Sequence, residues 1–371
     1  MNKDTLGLYL HVPFCVRKCR YCDFCSFSST ETEREAYVRA LLTEIQKAPK
    51  DDRTVDSIFF GGGTPSLLSE DAFSEIFRAL REKYTLAPDA ETTVEINPGT
   101  VTERKLSALR ALGVNRISMG LQSSVNRELS LLGRIHTYEA FLESYRMLTA
   151  CGFDNINLDL MYAIPEQTVK SFEQTLSRVI ALSPAHISAY SLIIEEGTPF
   201  GRERDRLSLP TEEEETEMYG LACRMLSDAG YGHYEISNYA KKGRECRHNL
   251  RYWQGSDYLG FGLAAHSLYR GERLANTEDF SSYLSAPMAY ESRMARDLSE
   301  EREEYVMLGL RTAQGISLSE YSRRFGESFT AGKEDALSLY TRLGYLLIEE
   351  DRLALTERGF YVSNSILCEI L

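Results

Sequence analysis

The sequence is short of what marks a nucleic-acid binder or a membrane-spanning protein. Basic residues are in deficit: 42 Lys and Arg stand against 55 Asp and Glu, a formal charge of −13. A general nucleic-acid binder displaces phosphate counterions with basic surface, so that class is excluded. No apolar run comes near the roughly 20 residues that cross a bilayer. The opening stretch MNKDTLGLYLHVPFC holds no long apolar core ahead of a small-residue cleavage site, so the expectation is a cytoplasmic protein without a signal peptide. Low-complexity tracts are missing, as are internal repeats beyond an alternation of strand and helix patterns. Hydrophobic residues at 43% and charged residues at 26% exclude collagen, coiled coil and bulk disorder. The 371 residues allow about two or three domains.

Cysteine, by contrast, is present in a pattern. Of eight, Cys15, Cys19, Cys22 and Cys25 fall within eleven residues, while Cys151, Cys223, Cys246 and Cys368 are scattered. In a reducing cytosol such a cluster binds metal or does redox chemistry rather than forming disulfides. Cys15-x3-Cys19-x2-Cys22 puts three thiolates on one loop after a strand. Thiolates are soft ligands suited to zinc or to iron–sulfur clusters. Zinc sites usually draw on two separated pairs, so the crowding here favours iron–sulfur. Three ligands on a four-iron cluster leave one iron open to a group that is not protein.

Hydrophobic periodicity predicts strands at Leu6–Val12, Val55–Phe60, Thr92–Ile96, Arg116–Gly120, Ile156–Met161 and His186–Leu192. Helical patterns fall between them, at about Thr32–Lys47, after an N-cap at Ser69, and at Thr102–Leu112, Thr137–Cys151 and Val169–Leu182. This alternation demands parallel strands joined by crossovers, hence an α/β fold with a doubly wound sheet or a barrel. The Cys loop, Gly61–Thr64, Glu95, Gln122 and Asp159 all fall at the C-terminal ends of strands or in the loops beyond, where such folds bind ligands. The glycine loop lets backbone approach a ligand closely. It lacks the Lys-Ser/Thr of a phosphate loop, which argues against nucleoside triphosphates.

After about residue 195 the pattern changes. Glu212–Glu215 reads as a solvated helix N-terminus favoured by the dipole. Gly243–Gly262 is loop-rich and dense in aromatic and polar residues. Glu301–Arg311, Leu318–Phe325 and Lys333–Leu343 read as helices, Leu346–Glu349 and Leu353–Thr356 as a hairpin, and a final helix follows. That order resembles a winged-helix module, with acidity favouring a packing or lid role over DNA.

Tyr9-Leu10-His11-Val12-Pro13-Phe14-Cys15 with C-x3-C-x2-C resembles the radical S-adenosylmethionine (SAM) superfamily. More narrowly it is similar to the family of the oxygen-independent coproporphyrinogen III oxidase and its HemW-like heme-chaperone relatives. The likeness continues through Gly61-Gly62-Gly63-Thr64-Pro65-Ser66, Glu95-Ile96-Asn97-Pro98, Gly120-Leu121-Gln122-Ser123, Leu132-Gly133-Arg134-Ile135-His136 and Asn157-Leu158-Asp159-Leu160-Met161. Tyr234–Ala240 and His248-Asn249-Leu250-Arg251-Tyr252-Trp253 carry it over nearly the whole chain. A triple glycine alone means little; the set in this order and spacing is very specific.

The resemblance implies a partial (βα)6 barrel over residues 1–235 with its Cys loop at 13–29. A loop-rich linker over 236–285 and a C-terminal helical, winged-helix-like domain over 286–371 would follow. Cys15, Cys19 and Cys22 would hold a [4Fe–4S] cluster, whose fourth iron SAM chelates through its amino and carboxylate groups and which cleaves SAM reductively. Gly62, Gly63, Thr64, Glu95, Gln122, Arg134, Asp159, Tyr9, Tyr21 and Ile193 fall at SAM-contacting positions. A carboxylate such as Glu95 suits the cationic sulfonium; amide, guanidinium and carboxylate suit ribose hydroxyls and the methionine carboxylate. For Arg134 and Asp159 an internal ion pair is the competing role. Cys25 departs from the oxidase pattern, which carries its further cysteine one position earlier, where Phe24 stands; it is expected to be a bystander.

Two branches compete. Fourteen residues precede Cys15, fewer than the oxidases carry, so part of their substrate enclosure is expected to be missing. The segment from His248 to Trp253, which holds the single Trp, resembles the HNxxYW signature of the chaperone branch. Imidazole is a normal axial ligand of heme iron and aromatics stack on porphyrin, so His248 is the leading heme-contact candidate. Cys246 is a weaker one, the role of His266 is open, and His11 is expected to be structural. The first expectation is a heme chaperone that passes heme to an acceptor hemoprotein, a respiratory one at the membrane, with room for a homodimer. The alternative is a radical SAM oxidase of coproporphyrinogen III, in porphyrin biosynthesis. A zinc-stabilised regulatory protein with a winged-helix tail is the non-catalytic reading. No catalytic residue is assigned.

Overall fold

A computed structural model describes residues 4–288 and 290–371. Its first half alternates strand and helix: β1 (Thr5–Val12), α1 (Glu31–Lys47), β2 (Thr54–Gly62), α2 (Glu70–Lys83), β3 (Leu86–Ile96), α3 (Glu103–Leu112), β4 (Arg116–Gln122), α4 (Asn126–Leu131), α5 (Tyr138–Ala150), β5 (Ile156–Tyr162), α6 (Val169–Leu182) and β6 (His186–Ser191). The six strands and five of these helices fall where periodicity places them, within a few residues at most ends and six at the start of β3. Local chemistry sets the helix ends. Thr30 and Glu33 form a capping box on α1, Ser69 accepts from the Ala72 amide at the start of α2, and left-handed Gly113 stops α3.

Strands β1 to β6 lie side by side in sequence order, every pair parallel. An order that never reverses has no switch point. With right-handed crossovers the helices all fall on one face, and the sheet curls as a partial barrel rather than a doubly wound sheet. Leu6, Leu8, Leu10 and Val12 of β1 are fully buried, as are Phe73, Ile76 and Leu80 of α2; one core joins sheet and helices.

The chain continues through α7 (Pro199–Arg202), α8 (Glu212–Asp228), β7 (Gly232–Glu235), β8 (Asn238–Ala240), α9 (Arg247–Trp253), β9 (Tyr258–Phe261), β10 (His266–Tyr269), β11 (Glu272–Asn276), α10 (Phe280–Ser285) and β12 (Tyr290–Ala295). These strands extend both edges of the barrel. Beyond β6 come β8 and β7, while β9 pairs parallel to β1 and leads outward to β10, β11 and β12. Residues 236–285 thus contribute sheet where the sequence reads as loop. Strands of three to five residues are too short to show a period of two, and their pairing partners lie far along the chain. The C-terminal part carries α11 (Leu298–Gly309), β13 (Ile316–Ser317), α12 (Leu318–Phe325), α13 (Glu334–Arg342), β14 (Leu346–Glu349), β15 (Arg352–Leu355), α14 (Glu357–Tyr361) and α15 (Ser363–Ile370). Its small sheet has the order β13-β15-β14, a helical module with a β wing.

Candidate functional site

The loop after β1 is held from three sides. Cys15 N donates to Phe27 O at 2.9 Å and Phe27 N to Pro13 O at 2.8 Å, which pinches the loop at its base. Gly63 N donates to Val12 O and Thr64 N to Phe14 O, tying the glycine turn of β2 to it at 2.8 and 2.7 Å. A Cβ on Gly63 would come within 2.6 Å of the Phe14 carbonyl oxygen, so only glycine permits this approach. On the far side Arg20 N donates to Leu132 O and Arg17 Nη2 to Gly133 O, docking the loop on the segment after α4.

These contacts bring Cys15, Cys19 and Cys22 to one cavity of about 300 Å³ at the C-terminal mouth of the barrel. Tyr21, Gly62, Gly63, Thr64, Glu95, Gln122, Arg134 and Asp159 line the same cavity. All three thiols are free, and each has a polar neighbour. Thr64 Oγ1 donates to Cys15 Sγ at 3.7 Å, Arg134 Nη1 to Cys19 Sγ at 3.6 Å, and Ser26 Oγ stands 3.9 Å from Cys22 Sγ. Burial pushes the Cys15 thiol up, and the Thr64 and Ser26 hydroxyls oppose it. Cys25 is half-buried and does not line the cavity; its carbonyl pairs with His11 Nε2 at 2.9 Å. Among the described residues no three His, Cys, Asp or Glu side chains converge on a single ion. Three thiols spread around one cavity, each hydrogen-bonded, are a donor set suited to a polynuclear cluster.

The cavity floor carries two carboxyl groups. Glu95 ends β3 and accepts from Gly62 N at 3.1 Å; burial first, then the Asp159 charge, push its carboxyl up to about 8. Asp159, also raised by burial, accepts from Asn157 Nδ2 at 2.7 Å. Behind them the Arg116 guanidinium is buried, and its Nε has no partner among the described residues. Two half-buried carboxyl groups on one floor suit a cationic ligand, which favours their charged forms. Arg134 forms no ion pair with Asp159 among the described residues: its Nη2 donates to Asn97 Oδ1 at 2.5 Å and to Gly120 O at 2.7 Å. Gln122 sits at φ +67° where β4 bulges against β5. Its Oε1 is buried without a partner among the described residues, an acceptor left over for a ligand.

Four candidates lie elsewhere. Tyr9 is half-buried beneath the carboxyl groups, its hydroxyl 3.0 Å from His11 Nδ1, and lines a second cavity of about 290 Å³ with Glu95 and Asp159. Ile193 follows the end of β6, 69% exposed and outside the thiol cavity. His248 is the leading heme-contact candidate of the sequence. It is buried in α9, its Nδ1 3.0 Å from Ser57 Oγ and its Nε2 2.9 Å from Tyr252 Oη, so it has no nitrogen free for an iron. Cys246 is fully buried against Glu91, its thiol pushed up to about 12 by burial.

Sequence reading passed over three residues of the cavity. Asn97 donates to Thr64 Oγ1 at 2.8 Å and accepts from Arg134, bridging two thiol neighbours. Tyr190 of β6 lines the cavity, and its hydroxyl is held up by burial. His136 is buried there with Nε2 unpartnered among the described residues, held at about 3 by burial and then by the Arg134 charge. Asn97 and His136 lie inside motifs that the sequence displays, which was the available signal.

The family model for the radical SAM superfamily matches residues 9–179, and that for the HemN C-terminal domain matches residues 297–362. The heme chaperone HemW of Lactococcus lactis is 33% identical over 376 residues, covering 100% of this chain and 98% of that protein. HemW of Bacillus subtilis is 34% identical over 96% and 97% of the two chains, and that of Escherichia coli 41% over 70% and 69%. Among solved structures, coproporphyrinogen III oxidase (HemN) from Escherichia coli superposes with a TM-score of 0.86 at 24% identity, covering 99% of this chain and 90% of that one.

Proposed function

The chain belongs to the HemW heme-chaperone family of radical SAM proteins, and we propose that it binds heme and hands it to an acceptor hemoprotein. The observation that carries this reading is full-length relatedness to heme chaperones at 33–34% identity; likeness to the oxidase is one of fold. Cys15, Cys19 and Cys22 would hold a [4Fe–4S] cluster. When bound, that cluster supplies an electron and an open iron to SAM. The residues around it have their own work. Thr64 and Arg134 donate to the sulfurs of Cys15 and Cys19 and hold them in place. Asn97 locks those two donors together. Glu95 and Asp159 set raised carboxyl groups where a sulfonium would draw them toward their charged forms, and the Gly62–Gly63 backbone leaves room for it.

Among the described residues no helix is long and apolar enough to cross a membrane. We place the protein in the cytoplasm and its acceptor among membrane-bound respiratory hemoproteins. The test is anaerobic. Reconstituted protein with SAM and a reductant is given heme and an apo-hemoprotein in one arm, coproporphyrinogen III in the other. Heme uptake and its transfer to the apo-hemoprotein, with no protoporphyrinogen formed, is the expected result. Sustained protoporphyrinogen formation would assign the oxidase activity instead.

A further inference from the structure

The barrel interior does not end at the carboxylates. Glu95, Ser118 and Asp159 wall both the thiol cavity and the 290 Å³ cavity beneath it. Tyr9 and Tyr252 then wall both that cavity and a third, of about 350 Å³. This third space opens at the edge where β9 and β10 extend the sheet. Its walls are apolar and aromatic, from Tyr252, Tyr258, Leu268 and Leu308, with two imidazoles, the fully paired His11 and the exposed His266, and one guanidinium, Arg273.

His266 is the exception among the six histidines. His11, His186 and His248 each have both ring nitrogens paired. His136 is buried in the thiol cavity. His233 is stacked on Tyr239 at 4.2 Å, and its Nε2 meets Ile236 O at 3.4 Å. Only the His266 ring is exposed. A single imidazole does not hold a bare ion, but it completes the coordination of an iron already held by four pyrrole nitrogens. The Tyr252 and Tyr258 rings meet edge to face at 79°, so one of them can lie along a porphyrin face while the other meets its edge. Arg273 pairs with Glu304 at 2.7 Å and has guanidinium donors left over for a propionate.

We propose that His266 is the axial iron ligand of the heme, which sits edge-out in the 350 Å³ cavity against Tyr252 and Tyr258. The assignment rests on the heme-binding reading above and names its site. An open seat one cavity removed from the thiols lets cargo leave without passing the cluster loop. It also separates two roles in the HNxxYW helix: His248 braces the barrel, and Tyr252 walls the heme seat.

The test titrates hemin into the anaerobically reconstituted full-length protein, wild type, His266→Ala and His248→Ala, following the Soret band and electron paramagnetic resonance. The wild type is expected to give an imidazole-ligated spectrum. His266→Ala should lose it and bind hemin about tenfold more weakly or worse, about 1.4 kcal/mol, with circular dichroism unchanged because the ring is exposed. Free imidazole should restore the spectrum to that variant. An unaltered spectrum in His266→Ala, or its loss in His248→Ala alone, would overturn the assignment. A wild type that takes up no hemin would instead bring down the heme-binding reading itself.

Discussion

Replacing His248 by alanine tests whether the HNxxYW histidine is a brace. The ring is fully enclosed, stacked at 5.4 Å on Phe59 and 6.3 Å on Tyr9, with hydrogen bonds to Ser57 at 3.0 Å and Tyr252 at 2.9 Å. Alanine removes both bonds, leaves two hydroxyls short of a partner in the interior and opens a ring-sized void. Two bonds at about 1 kcal/mol each and a partly collapsed cavity sum to about 4 kcal/mol. The loss depends on pH. Burial first, then the charges of Arg251 and Arg116, push His248 down to about 3 from an ordinary 6.5. Its neutral form therefore stabilises the fold fully above pH 6.5, and that stability drains as pH falls toward 3. At pH 5 about 2 kcal/mol of it is gone, and the variant has none to lose. Urea unfolding under argon should give a gap between wild type and His248→Ala of about 4 kcal/mol at pH 8 and about 2 kcal/mol at pH 5. A gap under about 1 kcal/mol at pH 8, or one that widens on acidification, would refute the structural role.

Two further outcomes follow from the thiol cavity. Cys25→Ser should keep the iron and sulfide content of the wild type, because Cys25 stands outside the cavity, while Cys19→Ser should lose it; anaerobic iron and sulfide assays decide, and loss in Cys25→Ser would mean a fourth protein ligand. Glu95, raised to about 8, binds a proton in the fold that the unfolded chain releases near 4.5. Its stabilisation is full below pH 4.5 and lost as pH rises through 8, about 2 kcal/mol of it between pH 6 and pH 8. Glu95→Gln keeps the neutral shape, so its unfolding free energy should fall less over that interval; equal slopes for both proteins would contradict the burial argument.

Residues that act through spacing along the chain were legible without coordinates. Cys15, Cys19 and Cys22 share a loop because few bonds separate them. The glycine turn shows itself because no other side chain permits that backbone approach, and the long strands and helices because apolar residues recur with a period of 2 or 3.6. The sequential strand order, which bears out the partial barrel that the resemblance implied and periodicity left open against a doubly wound sheet, required the fold. So did the direction in which single side chains face. His248 looked like a ligand from its motif, yet Ser57, 191 positions away, holds it inside. Ile193 looked like part of the SAM pocket and faces water. His266 stood in no decisive pattern and is the one histidine ring left exposed. A covalent spacing is written in the chain itself, but whether a polar ring is satisfied or available depends on partners that only long-range packing brings near.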